Sequence, residues 1–353
     1  MKSVKIIIKI FLAIILLTAV NCSDKFDIDE AKELAKANEK QKYGDTVYIL
    51  QKPIWNQFLK PKKILIGKDG FIYVADSING GRITLMNLAG QKLSELFVKN
   101  PYYIAQDYKL NLFICAEFDT LSQTYSAVYK LNLVEARHDL SKAKLKRILP
   151  KTSLDFSKPE RKFTAINIFY NNDFIIARSG PVNGLVDPDN SILYYKNVDE
   201  FFGRIPDFIP IGSGILTADN ISSMISTNKK NLDFMMCLIS QTNFKFQWLK
   251  YVSTMDKQGY EIFLRPGESQ LMTPNKFSQP MDLTIDYKNN IYIVDAAKDS
   301  VFKFNQSGDE YHSFGGPEFF EEPVSIAHFD KTLYVVDKKK NAILRFILST
   351  DIR

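Results

Sequence analysis

Five ionisable residues close short apolar runs in this 353-residue chain: Asp76, Glu117, Arg178, Asp295 and Asp337. Carboxylates are hard oxygen donors, so four gathered at one place could hold Ca2+ or another divalent cation, or grip a polar ligand. Arg178 offers a planar, permanently charged fork that suits a carboxylate or a phosphate. It stands at the base of residues 179–190 (SGPVNGLVDPDN), a loop far longer than those that follow Asp295 and Asp337. Long loops on a rigid scaffold are preferred carriers of binding function, which makes Arg178, Asp187 and Asp189 candidate binding residues. Asp187-Pro188-Asp189 is too short and too poor in acids for an EF-hand. Asp76, Glu117, Asp295 and Asp337 are the candidate metal ligands of an alternative, catalytic reading.

The first 21 residues have the layout of a secretory signal, with Lys2, Lys5 and Lys9 ahead of an uncharged apolar run over 10–20. That run is too short to span a bilayer. Ala19-Val20-Asn21-Cys22 resembles a bacterial lipobox, with Ala19 where Leu is usual and Asn21 where a smaller residue is usual. The resemblance implies that Cys22 is diacylated and anchors the mature chain, since more than one acyl chain gives stable attachment. Removing residues 1–21 takes away three lysines and no acid, so the formal charge falls from +6 to +3. So modest a balance does not point to nucleic acid. Cys115 and Cys237 each sit in an apolar, strand-like run, which predicts inert buried thiols without a disulfide. Residues 22–45 read as a short helix, with capping-box spacing from Asp27 to Glu30 and a thin apolar stripe that serves as a tether.

What must position the charged residues is a repeat. From Thr46 onward the apolar period is that of strands, and the run-closing positions 76, 117, 178, 238, 295 and 337 divide the chain into six units. Four units open with Pro, two unassigned positions and an aliphatic residue: Pro61 to Ile64, Pro101 to Ile104, Pro280 to Leu283 and Pro323 to Ile326. Proline suits the first residue of a strand, where no ladder donor is needed. The third unit keeps the spacing without proline, from Phe163 to Ile166, and the fourth is degenerate. Short antiparallel strands repeated six times indicate an all-β, six-bladed β-propeller over residues 46–353. The last unit ends at its third strand, and residues 46–50 (TVYIL) are available as its fourth.

The pattern P-x-x-I, DGFIYVADS, GRITLMN, with close matches at 280–308 and 323–347, resembles the NHL repeat. The likeness is fair for 101–133 and weak for 160–265. It implies a six-bladed propeller in which Asp at the end of a second strand caps the backbone of its own turn. Six-bladed propellers of this kind include metal-dependent lactonases and a zinc-dependent lyase, whose ligands surround the central channel. Of the three histidines here, His138 and His312 fall in outer segments, and only His328, on the first strand of the last unit, is placed to line a channel. The sequence contains no nucleophile elbow, P-loop, zinc-ligand spacing or Gly-rich nucleotide signature. The basic run 142–151 reads as a solvated outer edge, and most aromatic residues, including the pairs Phe201-Phe202 and Phe319-Phe320, as packing between blades.

The sequence thus predicts a lipid-anchored protein of the bacterial cell envelope, with inner and outer membrane left open. Its propeller would act as a binding or scaffold module for an envelope protein or glycan, without a cofactor. The alternative is a hydrolase or lyase that uses Ca2+ or another divalent cation at the channel. Replacing the lipobox cysteine, Cys22→Ala, is expected to move the protein from the detergent phase to the aqueous phase in a phase-partition assay. Unchanged partitioning would mean that the chain is not held by lipid at that residue.

Overall fold

Runs of β-branched and aromatic residues alternate here with turns built on Asn, Asp and Gly, and each apolar run is short enough to be a single strand. The computed structural model describes residues 46–352 except positions 121, 198, 213 and 214. The signal segment, Cys22 and the helical tether lie outside the described residues.

Strand β1 (Tyr48–Trp55) comes first. Blade 1 follows as β2 (Pro61–Ile66), β3 (Ile72–Asp76), β4 (Arg82–Met86) and β5 (Lys92–Phe97). Blade 2 comprises β6 (Tyr103–Gln106), β7 (Asn111–Thr120), β8 (Gln123–Asn132) and β9 (Lys146–Leu149). Blade 3 comprises β10 (Lys162–Ile168), β11 (Phe174–Ser179), β12 (Ser191–Lys196) and β13 (Glu200–Arg204). Blade 4 comprises β14 (Ile221–Ser226), β15 (Phe234–Leu238), β16 (Phe246–Ser253) and β17 (Gln258–Ile262). Blade 5 comprises β18 (Pro280–Ile285), β19 (Ile291–Asp295), β20 (Ser300–Phe304) and β21 (Phe314–Gly315). Blade 6 is β22 (Pro323–Phe329), β23 (Thr332–Asp337) and β24 (Ala342–Leu348), with β1 as its outermost strand. β1 pairs antiparallel with β24 from Tyr48 opposite Leu348 to Trp55 opposite Ile343. The protein is therefore an all-β, six-bladed propeller of four-stranded antiparallel sheets.

Second strands such as β3 and β19 are buried along their whole length, which is why they read as unbroken apolar runs. Apolar clusters lie between successive blades: Tyr73 and Ile83 meet Leu112 and Ile114 between blades 1 and 2, and Trp55 and Tyr334 meet Ile64 and Val74 between blades 6 and 1. Phe319 and Phe320 are buried in such a cluster, but Phe201 and Phe202 are exposed on the edge strand β13. Edge strand β5 is exposed along most of its length, with Lys92 and Glu95 in solvent. Cys115 and Cys237 are buried free thiols, and burial pushes both well above the ordinary thiol value, so they remain protonated.

One register feature recurs and sets the shape of the channel. In β2 the pairing with β3 runs from Pro61 opposite Asp76 to Lys63 opposite Ala75, so Lys62 is bulged out of the ladder. The same skip occurs at Thr164, Ser222, Met281 and Val324. A bulge inserts one unpaired residue and re-aims its neighbours. Each of these five innermost strands therefore presents two successive side chains toward the axis: the bulged residue near the mouth and the next residue one layer deeper. These are the two unassigned positions of the Pro-x-x-aliphatic motif.

Candidate functional site

The deeper layer brings together Lys63, Tyr103, Ser223, Asp282 and Ser325, supplied by blades 1, 2, 4, 5 and 6. Lys63 Nζ donates to Asp282 Oδ1 at 2.6 Å, with both side chains almost entirely buried. Ser223 Oγ donates to the same oxygen at 2.6 Å. Asp282 Oδ2 accepts from Ser325 Oγ at 2.6 Å and from the Ile326 amide at 3.0 Å. Ser325 Oγ in turn accepts from the Ile64 amide at 3.2 Å, which returns the network to blade 1. The Lys63 ammonium also lies 4.4 Å from the centre of the Tyr103 ring, and the Tyr103 hydroxyl meets Ser223 Oγ at 3.1 Å. Burial alone would push the Lys63 amine down, but Asp282 and the Tyr103 oxygen hold it above the ordinary lysine value. The Lys63 ammonium therefore stays charged, and its pair with Asp282 divides the channel into a mouth and a lower chamber that share Lys63 and Tyr103 as a floor.

The mouth is a cavity of about 430 Å³. Its inner wall is the bulged layer, Lys62, Thr164, Ser222, Met281 and Val324, with Tyr102 just ahead of β6, and its rim carries Asn100, Glu117, Lys162, Glu322 and Lys338. Lys62 Nζ donates to Asn100 Oδ1 at 3.2 Å. Burial lowers the Lys62 amine; Glu117 opposes this, while Lys338, Lys162 and Lys60 push it down further. Lys338 pairs with Glu322, and Lys162 makes no ion pair among the described residues. Tyr102 bonds Ser126 Oγ at 2.6 Å, whereas Thr164 Oγ1 is buried in the wall without a hydrogen-bond partner. The cavity thus combines an apolar wall, an orphaned hydroxyl and an excess of ammonium groups.

Of the four candidate metal carboxylates, only Glu117 lines this cavity. Asp76 is fully buried and accepts the amides of Lys60 at 2.9 Å and Ile78 at 3.3 Å, with Arg82 Nη2 at 3.2 Å. Asp295 accepts from Ser278 at 2.6 Å, Gln279 at 2.9 Å and Ala297 at 3.1 Å. Asp337 accepts from Glu321 at 2.7 Å and Lys340 at 3.0 Å. Each aspartate stands opposite the proline that starts its blade and satisfies both the incoming connector and the outgoing turn. Among the described residues, no group of three or more His, Cys, Asp or Glu side chains is arranged to hold a metal ion. His328 lines the lower chamber, on the far side of the Lys63–Asp282 pair from Glu117.

Arg178, Asp187 and Asp189 do come together, joined by Arg161. Arg178 Nη2 donates to Asp187 Oδ1 at 2.7 Å and its Nε to the Asp189 carbonyl at 3.2 Å. Arg161 Nε donates to Asp189 Oδ1 at 2.6 Å, and its Nη2 to Asp187 Oδ2. Burial opposes ionisation of Asp187, but the two guanidinium groups hold its carboxyl well below the usual range. Asp189 also accepts from the Val182 amide at 2.8 Å, and Gly180 lets the chain pass against it, since a Cβ there would sit 2.7 Å from Asp189 Oδ2. Lys158 also pairs with both aspartates and Asp155 with Arg161, so three cations and three acids neutralise one another and pin the base of the loop, while Leu185 and Val186 at its tip are almost fully exposed. Sequence spacing had isolated Arg178 and the two aspartates but not Arg161, which lies 17 positions earlier and is opposed to them only through the pairing of β10 with β11.

No known family model matches the chain, and no curated protein matches its sequence. Solved structures match its fold. An auxiliary nutrient binding protein from Bacteroides thetaiotaomicron superposes with a TM-score of 0.58 at 8% identity, covering 82% of this chain and 69% of that one. A putative gluconolactonase gives a TM-score of 0.56 at 9% identity over 87% of this chain and 93% of that one. Virginiamycin B lyase from Staphylococcus aureus gives 0.53 at 11% identity over 85% and 99%. At such identities the likeness establishes a shared propeller and nothing about chemistry.

The caps make a direct prediction. Asp295→Ala strands three backbone N–H groups and is expected to lower unfolding free energy by at least about 2 kcal/mol in urea titration. Adding about 1 mM Ca2+ is expected to leave the wild-type Tm unchanged. A Tm rise that Asp295→Ala abolishes would instead make Asp295 a metal ligand.

Proposed function

We propose that the protein is a non-catalytic recognition module of the bacterial cell envelope, anchored through lipid on Cys22, that holds the acidic end of an envelope glycan in the channel mouth. The observation that carries this reading is the convergence of Lys62, Lys162 and Lys338 on one cavity, with only Glu117 and Glu322 to balance them. Lys62, whose amine is pushed down by burial and then by the neighbouring lysines, is stabilised by an arriving anion, which adds the attraction that its own surroundings lack.

The remaining wall suits a sugar. Tyr102, Met281 and Val324 offer apolar surface to the C–H face of a pyranose ring. Asn100 and Gln279 offer donors and acceptors to its oxygens. The volume falls in the range of about 300–1,000 Å³ usual for small-ligand sites. Catalysis by a divalent cation finds less support, because Asp76, Asp295 and Asp337 already spend their oxygens on backbone amides. An aromatic and apolar wall beside a few placed charges is the make-up of a binding pocket. The resemblance in fold to a nutrient binding protein agrees with that role by analogy only.

Titration calorimetry with a galacturonate trimer, a neutral galactose trimer and an oligoglutamate peptide tests the reading. The uronate is expected to bind, and Lys62→Met with Lys162→Met to weaken it about tenfold or more, since one lost charged hydrogen bond is worth about 1.5–3 kcal/mol. Raising NaCl to about 0.5 M is expected to weaken it as well. Equal binding of the neutral trimer, or no binding of the uronate, would overturn the proposal. Binding of the peptide alone would assign the mouth to a protein partner.

A further inference from the structure

At the opposite ends of the strands, between blades 5 and 6, a further cavity of about 380 Å³ is built around a lysine. Lys303, on β20, stands opposite Tyr292 of β19 and is only 4% exposed. Its ammonium nitrogen lies 4.6 Å from the ring centre of Tyr311, 5.4 Å from that of Tyr292 and 5.7 Å from that of Tyr48. Among the described residues Nζ has no hydrogen-bond acceptor and no carboxylate partner. Ring faces attract a cation, but by about 0.5–2 kcal/mol each, far less than is needed to offset burial of a full charge.

The groups around it do not supply the missing charge. Asp286 is the acid that acts most strongly on Lys303, but its oxygens accept from the Lys288 amide at 2.8 Å, the Asn290 amide at 2.9 Å, Asn290 Nδ2 at 2.6 Å and the Tyr292 hydroxyl at 3.1 Å. Asp351 acts more weakly on Lys303 and pairs with Lys331 at 3.3 Å, and Asp330 also lines the cavity but forms no ion pair with Lys303. Burial keeps Tyr48, Tyr292 and Tyr311 protonated and therefore neutral, with Tyr311 pushed up to about 12. His328, stacked on Tyr292 at 5.5 Å, and His312 are both pushed down by burial and by Lys303, so both imidazoles favour the neutral form. Lys288 adds a like charge. Burial is thus the dominant influence on Lys303, and its amine falls to about 8. About a tenth of it is then unprotonated at pH 7, against less than about a thousandth of an ordinary lysine.

We propose that Lys303 is a nucleophilic amine that captures a small aromatic aldehyde in this cavity as an imine. An unprotonated lysine in a desolvated pocket is the standard nucleophile for a carbonyl carbon. The amine lone pair attacks the carbonyl carbon, forming the N–C bond as the C=O π pair moves to oxygen. Both amine protons pass to that oxygen, the C–O bond breaks, water leaves, and the N=C bond remains. No electron acceptor or donor is needed. The rings of Tyr48, Tyr292 and Tyr311 provide flat apolar surface for the aryl body of the aldehyde. This site is independent of the channel mouth, with which it shares no lining residue.

The test treats the whole protein with benzaldehyde and cyanoborohydride from about pH 6 to pH 10 and measures labelling of each lysine by peptide mass spectrometry. Lys303 is expected to label at least about tenfold faster at pH 7 than the exposed Lys229 and Lys230, with a rate that levels off near pH 8. Tyr311→Glu places a carboxylate beside the amine and is expected to slow Lys303 labelling about tenfold while leaving Lys229 and Lys230 unchanged. Its fold is checked by thermal unfolding, and if it does not fold the wild-type pH profile decides. Labelling of Lys303 no faster than Lys229 and Lys230, or a rate still rising at pH 10, would overturn the proposal.

Discussion

A lysine and an aspartate buried together on the axis of a ring set the terms for everything else in this molecule. Removing Lys63 and Asp282 from water costs several kcal/mol for each ion, and one contact of 2.6 Å does not by itself offset that. What makes the pair tenable is that both Asp282 oxygens are saturated, by Lys63 and Ser223 on one side and by Ser325 and the Ile326 amide on the other. Tyr103 closes the arrangement under the ammonium. Five blades contribute a group, so each can meet its partner only when the whole ring is assembled. Buried polar networks of this kind are strongly destabilising when half made, which ties the positions of the blades to one another.

The same backbone device builds the network and the site above it. A bulge after the first residue of an innermost strand sends one side chain to the mouth and the next to the floor. The floor uses its polar groups on each other and is electrically closed. The mouth does not: Lys62 and Lys162 face a cavity whose acids are outnumbered. This contrast is the ground on which we propose recognition of an anionic ligand rather than catalysis. The charged loop base around Arg161 and Arg178 resembles the floor in this respect, since its charges are consumed internally.

The architecture was legible in the sequence because its determinants are local. Pro61, Pro280 and Pro323 mark strand starts, while Asp76, Asp295 and Asp337 mark the ends of second strands fifteen or fewer positions later. Their contact is one antiparallel pairing, which a short stretch of chain encodes completely. The fourth unit lost the proline and the charged residue that closes the second strand, yet Ile221 to Leu238 still form an ordinary strand pair, because apolar period alone sufficed there. The site was much less legible. Lys63 and Asp282 lie 219 positions apart and meet only through ring closure. The clue was a charged residue at the second unassigned position of the motif, inside what otherwise reads as a buried strand. Arg178 was visible, but that Asp187 and Arg161 neutralise its surroundings depends on how a loop folds back, and no periodicity encodes that.

The Lys63–Asp282 pair fixes the ring and is not itself a reactive site. A double-mutant cycle in urea, with Lys63→Met, Asp282→Leu and the two combined, measures this directly. Each single change strands a buried charge and is predicted to cost about 3–5 kcal/mol, while the combined change, which removes both ions, is predicted to cost less than either alone. Single costs below about 1 kcal/mol that simply add would contradict the account, because the blades would then hold their places without the pair.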